Sequence, residues 1–297
     1  MTTAEHRAPA SVSSRKPDDQ EIDVYGLTHP GKVRQTNEDH FLICSLRKQM
    51  NVHLTSLPDT AAVISGGERL AFLAMVADGV GGGAMGEEAS RLALEAIMEY
   101  VNHCTACFYA ADTKDDEVFA DALREAAMAS HEHLLRRVEI DPDSRGMATT
   151  LTLWLGLWPR AYLLQVGDSR CYQLKRGEFR QISRDQTMAQ ELVDLGVLAK
   201  ADASRTPWAH TLSSAIGGAQ TAPIVTRMDQ DWGDVGMLCS DGLTRHVPDE
   251  RIRDQLLAMT SAKQVCEALL HDALDAGGRD NITILVGRTG AREGDGT

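Results

Sequence analysis

The stretch TTLTLWLGLWPRAYLLQVGDSRCYQLKRGEFRQIS, residues 149–183, decides the fold class. It breaks into short runs rich in Leu, Thr, Val and Tyr, each bounded by Gly, Pro or Asp, as strands are. The WPR (158–160) and KRGE (175–178) breaks read as hairpin turns. The whole stretch therefore reads as a meander of antiparallel strands, with Gly167, Asp168 and Ser169 at a hairpin edge.

Similar runs recur outside it: IDVYGLT (22–28), DHFLICS (39–45), RLAFLAMVA (69–77), PIVTRMDQ (223–230), DVGMLCS (234–240) and NITILVG (281–287). Two helical stretches fall between the third of these and residue 149. GEEASRLALEAIMEYVNHC (86–104) carries Leu92, Ala96, Met98 and Val101 among charges. DEVFADALREAAMASHEHLLRRVEI (116–140) carries Val118, Phe119, Leu123, Ala127, Leu134 and Leu135 at a helical period. MAQELVDLGVLAKADAS (188–204), DERIRDQLLAM (249–259) and SAKQVCEALLHDALDAG (261–277) supply three more, the last ending at Gly277. Strands outnumber helices, hairpins dominate and no βαβ alternation appears. The fold class is α+β, in one domain.

With 297 residues and 43% hydrophobic content, the chain can bury a sizeable core. It contains no run of about 18 apolar residues, which argues against a membrane span. The polar lead, residues 1–20, reads as disordered and lacks the apolar core of a signal peptide; residues 289–297 read as a flexible tail. A net charge of −13 argues against nucleic acid as a partner. The six scattered cysteines read as reduced thiols of a cytoplasmic protein. HCTAC (103–107) and HEH (131–133) fit zinc spacing only loosely, because His131 and His133 fall on different helix faces. The stretch SLRKQMNVHLTSLPDTAAVISGGER (45–69) is a surface excursion or a lid.

In AMVADGVGGGAMGEEAS (74–90), Gly81, Gly83 and Gly86 spell the G-x-G-x-x-G of a dinucleotide loop. That site demands a second parallel strand soon after the loop's helix, ending in an acid for the ribose. Here a second helix follows instead, and no G-K-[ST] appears anywhere, so the nucleotide reading fails on context. Asp78, directly before the glycines, suggests a metal. Acids recur in the same setting, at strand edges beside small residues: Asn37-Glu38-Asp39, Asp78-Gly79, Gly167-Asp168-Ser169, Ser240-Asp241-Gly242 and Arg279-Asp280-Asn281. Any one of them alone is an ordinary turn. Together they offer the carboxylate, carbonyl and water ligands that suit Mg2+ or Mn2+. Two such ions about 4 Å apart can activate water for phosphoryl displacement.

The ordered set R-x-x-N-E-D (34–39), D-G-x-G-G (78–82), G-M-x-T-T (146–150), G-D-S-R (167–170), S-D-G-L (240–243) and D-N-I-T (280–283) resembles the metal-dependent protein phosphatase family (PPM, type 2C) in its bacterial form. The motifs cover about residues 22–287 and place the phosphatase domain at 21–288. The resemblance implies an α-β-β-α sandwich of two antiparallel sheets flanked by helices, with the metal centre at one end. It implies two Mn2+ or Mg2+ ions, or three in bacterial members, and a metal-activated water as nucleophile without a covalent phosphoenzyme. By position, Asp78 resembles the bridging carboxylate and Gly79 a carbonyl ligand. Glu38 resembles a residue assisting one metal, and Asp241 and Asp280 resemble the ligands of the other. Asp168, with Asp241, resembles a ligand of the weaker third ion. Asp39 resembles the residue that hydrogen-bonds the metal's water, and Arg34 the phosphate-gripping residue, for which its fork is suited. Thr149 and Asn281 read as support.

Some positions depart from the family pattern. Val80 stands where some relatives carry a histidine proposed as general acid, and Ala148 replaces a common glycine. The flap, 184–218, lacks the H-P-Q-R of many relatives, and the 45–69 insert resembles one found in a subset of bacterial members. The resemblance implies hydrolysis of phosphoserine and phosphothreonine in phosphorylated protein substrates, opposing a bacterial Ser/Thr kinase, without nucleic-acid or membrane partners. The alternatives are a phosphoprotein-binding regulatory module with structural metals and a hydrolase of small phosphoesters. Loss of Asp78, Asp241 or Asp280 would favour the module, and none is lost.

Overall fold

A computed structural model describes residues 15–47, 67, 69–103 and 116–290. Two antiparallel sheets lie face to face between layers of helices, an α-β-β-α sandwich. The first sheet runs in the order β1 (Ile22–His29), β11 (Ile282–Thr289), β10 (Val235–Cys239), β7 (Arg170–Lys175) and β8 (Glu178–Gln181). The second runs β2 (Asp39–Arg47), β3 (Arg69–Val80), β5 (Leu151–Leu157), β6 (Arg160–Val166) and β9 (Ile224–Asp229), and the short β4 (Ala148–Thr149) pairs with the end of β3.

Strand β3 shows why these residues form this architecture. Its run is continuously apolar because both faces are buried. Leu73, Met75 and Ala77 pack beneath helices α1 (Ala84–His103) and α2 (Asp116–Ile140), while Ala74 and Val76 face the other sheet. The first sheet repeats the pattern. Ile282, Ile284 and Val286 meet the side carrying helix α6 (Asp249–Leu257) and helix α7 (Ala262–Asp275), and Leu285 meets the intersheet layer. Each fully buried Leu, Ile or Met side chain contributes about 1.5–3 kcal/mol, so the helix-facing clusters dominate stability. The intersheet layer mixes small groups such as Ala74, Ala161 and Cys171 with larger ones such as Leu163, Met228, Leu238 and Leu285.

All ten expected strand runs form, and the WPR and KRGE turns are hairpins, with Leu157 opposite Arg160 and Lys175 opposite Glu178. The expected continuous meander does not form. The chain pairs β5 with β6 in one sheet, then crosses at Gly167–Ser169 to pair β7 with β8 in the other. Gly167 turns there with φ +103, and a Cβ on it would lie 2.6 Å from Thr150 Cγ2.

The strand expected from Thr149 splits at Thr150, so that Ala148 and Thr149 pair with the end of β3. The helix expected at 188–204 is two pieces, α3 (Met188–Asp194) and α4 (Lys200–Ala203). Gly196, with φ +70, ends the first piece: its N–H and that of Val197 return to the carbonyls of Val193 and Leu192, each at 2.9 Å. A one-turn helix α5 (Asp241–Thr244), not expected from the sequence, follows β10. On α2, Val118 and Leu135 are exposed, because the buried stripe runs through Phe119, Leu123, Ala127 and Leu134.

Within the lead, Arg15 pairs with Glu21 at 2.8 Å and lies over the Trp232 ring. Most of the 45–69 insert, with Cys104 and Cys107, lies outside the described residues. His131 Nδ1 accepts from Gly217 N at 3.0 Å, a structural bond between α2 and the segment before β9. No described helix is long and apolar enough to cross a membrane.

Gly167→Ala is expected to destabilise the fold by about 1–3 kcal/mol, through its φ and its contact with Thr150. A lowered urea midpoint with an unchanged slope checks this.

Candidate active site

The β1–β2 and β6–β7 connections cross between the sheets at the end of the sandwich where β3 and β10 finish and β11 begins. Each sequence-selected acid lies on one of these segments. Arg34 and Glu38 lie on the first crossing, and Asp39 opens β2 opposite Asp78 near the end of β3. Asp168 lies on the second crossing, Asp241 opens α5, and Asp280 precedes β11.

Asn281 anchors the first crossing. Its side chain accepts from Glu38 N at 2.8 Å and donates to the carbonyls of Pro30 and Thr36 at 3.1 and 2.9 Å. Thr149 and Thr150 fix Asp78 in turn. Thr149 Oγ1 donates to the Asp78 carbonyl at 2.9 Å, and Thr150 Oγ1 accepts from Asp78 N at 3.0 Å. Gly79 N donates to the Glu38 carbonyl at 3.1 Å. The Glu38 carboxylate turns toward the glycine loop and accepts from Gly83 N at 2.7 Å. Gly86 makes room for it, since a Cβ there would lie 2.1 Å from Glu38 Oε2.

Asp39 is buried, and its Oδ2 accepts from Ser240 Oγ and Thr283 Oγ1, both at 2.7 Å. Its Oδ1 is buried without a hydrogen-bond partner. Arg34 Nε pairs with Asp280 Oδ1 at 2.8 Å, and Arg245 Nη1 pairs with Asp280 Oδ2 at 2.6 Å. Arg245 also pairs with Asp241.

The electrostatics are those of like charges out of water. Burial pushes the Asp39 carboxyl up to about 7, aided by Asp241 and Asp280 and opposed by its two hydroxyl donors. Burial raises Asp78 well above the usual carboxylate range, and Asp39, Asp241, Asp168 and Asp280 add to the shift. Asp168 is raised by burial and by Asp241. Asp241 rises to about 6 through burial, with Arg245 opposing. Beside the cluster opens a cleft of about 710 Å3, walled by Asp168, Arg170, His210, Asp241, Arg245 and Arg279 among others.

This donor set fits hard divalent cations. It is all oxygen, it carries excess buried negative charge, and Asp39 holds an unused acceptor. Among the described residues no three carboxylate, imidazole or thiolate groups converge tightly enough to chelate one ion as they stand. The physical reason is visible in the ion pairs, since Asp241 and Asp280 are held by arginines and Glu38 by Gly83. Mg2+-like ions also keep several waters, so sparse protein ligation is their usual mode.

Several contributors escaped the sequence reading. Ser240 and Thr283 under Asp39, and the Thr150–Ser169 hydroxyl pair at 2.8 Å, sit inside the quoted motifs but carry no charge to mark them. Arg245 is signalled only by its spacing of four residues from Asp241. His246 joins α5 to the approach of β11, contacting the Gly242 carbonyl through Nδ1 at 2.7 Å and accepting from Arg279 N at 3.1 Å.

The family model described as protein phosphatase 2C matches residues 57–276. Over 217 residues, the chain is 36% identical to the serine/threonine protein phosphatase PstP of Mycobacterium tuberculosis, covering 72% of this chain and 40% of that protein. It is 30% identical over 215 residues to the serine/threonine phosphatase Stp of Listeria welshimeri, covering 72% of this chain and 83% of that protein. A crystal structure of the PstP catalytic domain in complex with two manganese ions superposes with a TM-score of 0.70 and 31% identity, over 91% of this chain and 99% of that one. The chain belongs to the protein phosphatase 2C family.

The raised carboxylates set a pH dependence for the metal-free protein. Their folded-state pKa values lie above the ordinary 3.8, so the stability they permit is fully present below about 4 and is lost as pH rises. Stability in EDTA is expected to fall between about pH 4 and pH 7, the window set by Asp241 and Asp39. Metal-free Asp78→Asn is expected to melt a few degrees above metal-free wild type at pH 7, since about 1 kcal/mol shifts Tm by roughly 2–4 °C in a larger domain. Calorimetry across pH checks both.

Proposed function

We propose that this chain hydrolyses phosphoserine and phosphothreonine in phosphorylated proteins, using Mn2+ or Mg2+ held by the aspartate cluster. The observation that carries the reading is the meeting of buried Asp39, Asp168 and Asp241 with half-buried Asp78 and Asp280, from separate segments, beside Arg34 and an open cleft. The names of PstP and Stp, and the two manganese ions of the PstP structure, support the same activity.

In this reading Asp78 would serve both of two ions, with the Gly79 carbonyl as a further ligand and Glu38 assisting one of them. Asp241 and Asp280 would hold the other, and Asp168 with Asp241 would hold a weaker third. The ions supply Lewis acidity and a water acidic enough to attack at neutral pH. The chain's own residues do the rest. Arg34, oriented by Asp280 through Nε, offers its fork to the substrate phosphate. Asp39 is clamped at Oδ2 by Ser240 and Thr283, so Oδ1 is the atom that would accept a hydrogen bond from the attacking water. Thr149, Thr150 and Asn281 fix the backbone that carries these groups. Val80 supplies no acid to the leaving oxygen. The net charge of −13 and the free thiols Cys44, Cys171, Cys239 and Cys266 support action in the cytoplasm, opposite a Ser/Thr kinase.

A phosphothreonine peptide is expected to be hydrolysed with Mn2+ and not with EDTA. Asp78→Asn is expected to lower the rate by about 100-fold or more, the scale on which metal-site support is lost. Peptide binding without turnover points instead to a regulatory module, and turnover that EDTA leaves intact removes the metal reading.

A further inference from the structure

Arg245 stands at the junction of two carboxylates that the reading above gives to a metal ion. One helical turn separates it from Asp241, and its guanidinium spans from Asp241 to Asp280, meeting Asp280 Oδ2 at 2.6 Å. The other Asp280 oxygen is taken by Arg34 at 2.8 Å. This half of the acidic cluster is therefore neutralised by arginine, whereas Asp39 keeps a buried unpartnered oxygen. A guanidinium stays charged at any physiological pH, so it can give up these oxygens only by moving. The geometry leaves it somewhere to go. The Arg245 side chain is 30% exposed and lines the open cleft, with His210 and Arg279 among its neighbours on that wall. Its backbone is fixed in the helical region at the end of α5, so side-chain rotation alone suffices.

We propose that Arg245 is a built-in counter-cation of the active site, which competes with divalent ions for Asp241 and Asp280 and is displaced into the cleft when they bind. The inference rests on the metal reading of the cluster. It gives Arg245 two opposite effects: it stabilises the metal-free fold by separating two mutually repelling carboxylates, and it weakens ion binding at the same place. A merely structural arginine does not have the second effect.

The test is calorimetric titration of Mn2+ into EDTA-stripped full-length wild type, Arg245→Gln and Arg245→Lys, together with thermal melts with and without saturating Mn2+. Arg245→Gln is expected to bind Mn2+ about tenfold more tightly, or about 1.4 kcal/mol. It is also expected to melt lower than wild type without metal, with the deficit shrinking once Mn2+ saturates. Arg245→Lys keeps the charge but loses the fork, and is expected to bind about threefold more tightly, on the same scale. It decides the question if the glutamine variant does not fold. Unchanged or weaker Mn2+ binding in folded variants, beside a wild type that binds, overturns this inference alone. A wild type that binds no Mn2+ overturns the metal reading and this inference with it.

Discussion

The mutual repulsion of buried carboxylates at one end of the sandwich is the constraint on which the rest of this structure depends. Charged groups resist leaving water, and like charges resist each other, so a region holding Asp39, Asp78, Asp168, Asp241 and Asp280 raises the free energy of its own fold. The surrounding architecture offsets that cost. Hydroxyls of Ser240 and Thr283 clamp Asp39, arginines pair with Asp241 and Asp280, and Thr149, Thr150 and Asn281 lock the backbones that carry the acids. Dicationic ligands held there would relieve the same repulsion, which would link the chemistry of the site to its stability.

The remainder of the fold is the platform for this arrangement. The helix-facing clusters around Met75, Leu153, Leu269 and Ile284 supply the burial that holds two sheets in register. The acids lie where the chain changes sheets or ends a strand, because only there can side chains from both sheets point into one space. The cleft beside them is walled by both signs of charge, with Arg170, Arg245 and Arg279 set against Asp168, Asp185 and Asp280. Such a surface suits an anionic group arriving from solvent, and the family's relatives are phosphatases by name.

Much of this was legible in the sequence, for identifiable reasons. Short apolar runs bounded by Gly, Pro, Asp or Asn marked the strands, and Asp78, Asp241 and Asp280 stood out because each acid borders a strand beside Gly or Asn. What stayed hidden was non-local. The Gly167-Asp168-Ser169 turn reads as a hairpin edge, since a short turn carries no sign that the next strand joins a different sheet. The break in 188–204 hinged on a single left-handed glycine, Gly196, whose alternative was to continue the helix at modest cost. Arg245 gave no signal beyond its spacing, because its second partner, Asp280, is brought near only by the pairing of β10 with β11. Ser240 and Thr283 were inside recognised motifs, yet only the fold shows that both point at one oxygen of Asp39.

If the aspartate cluster is a divalent-cation site, it must hold Mn2+ in the folded protein. Anomalous scattering from crystals of the full chain grown with Mn2+ tests it most directly. Manganese peaks are expected against the Asp78 carboxylate and the Gly79 carbonyl, with a further peak at Asp241 and Asp280 accompanied by Arg245 turned away. A Mn2+-saturated crystal with no peak at this cluster, or with Asp241 and Asp280 still paired to Arg245 and manganese bound elsewhere, would contradict it.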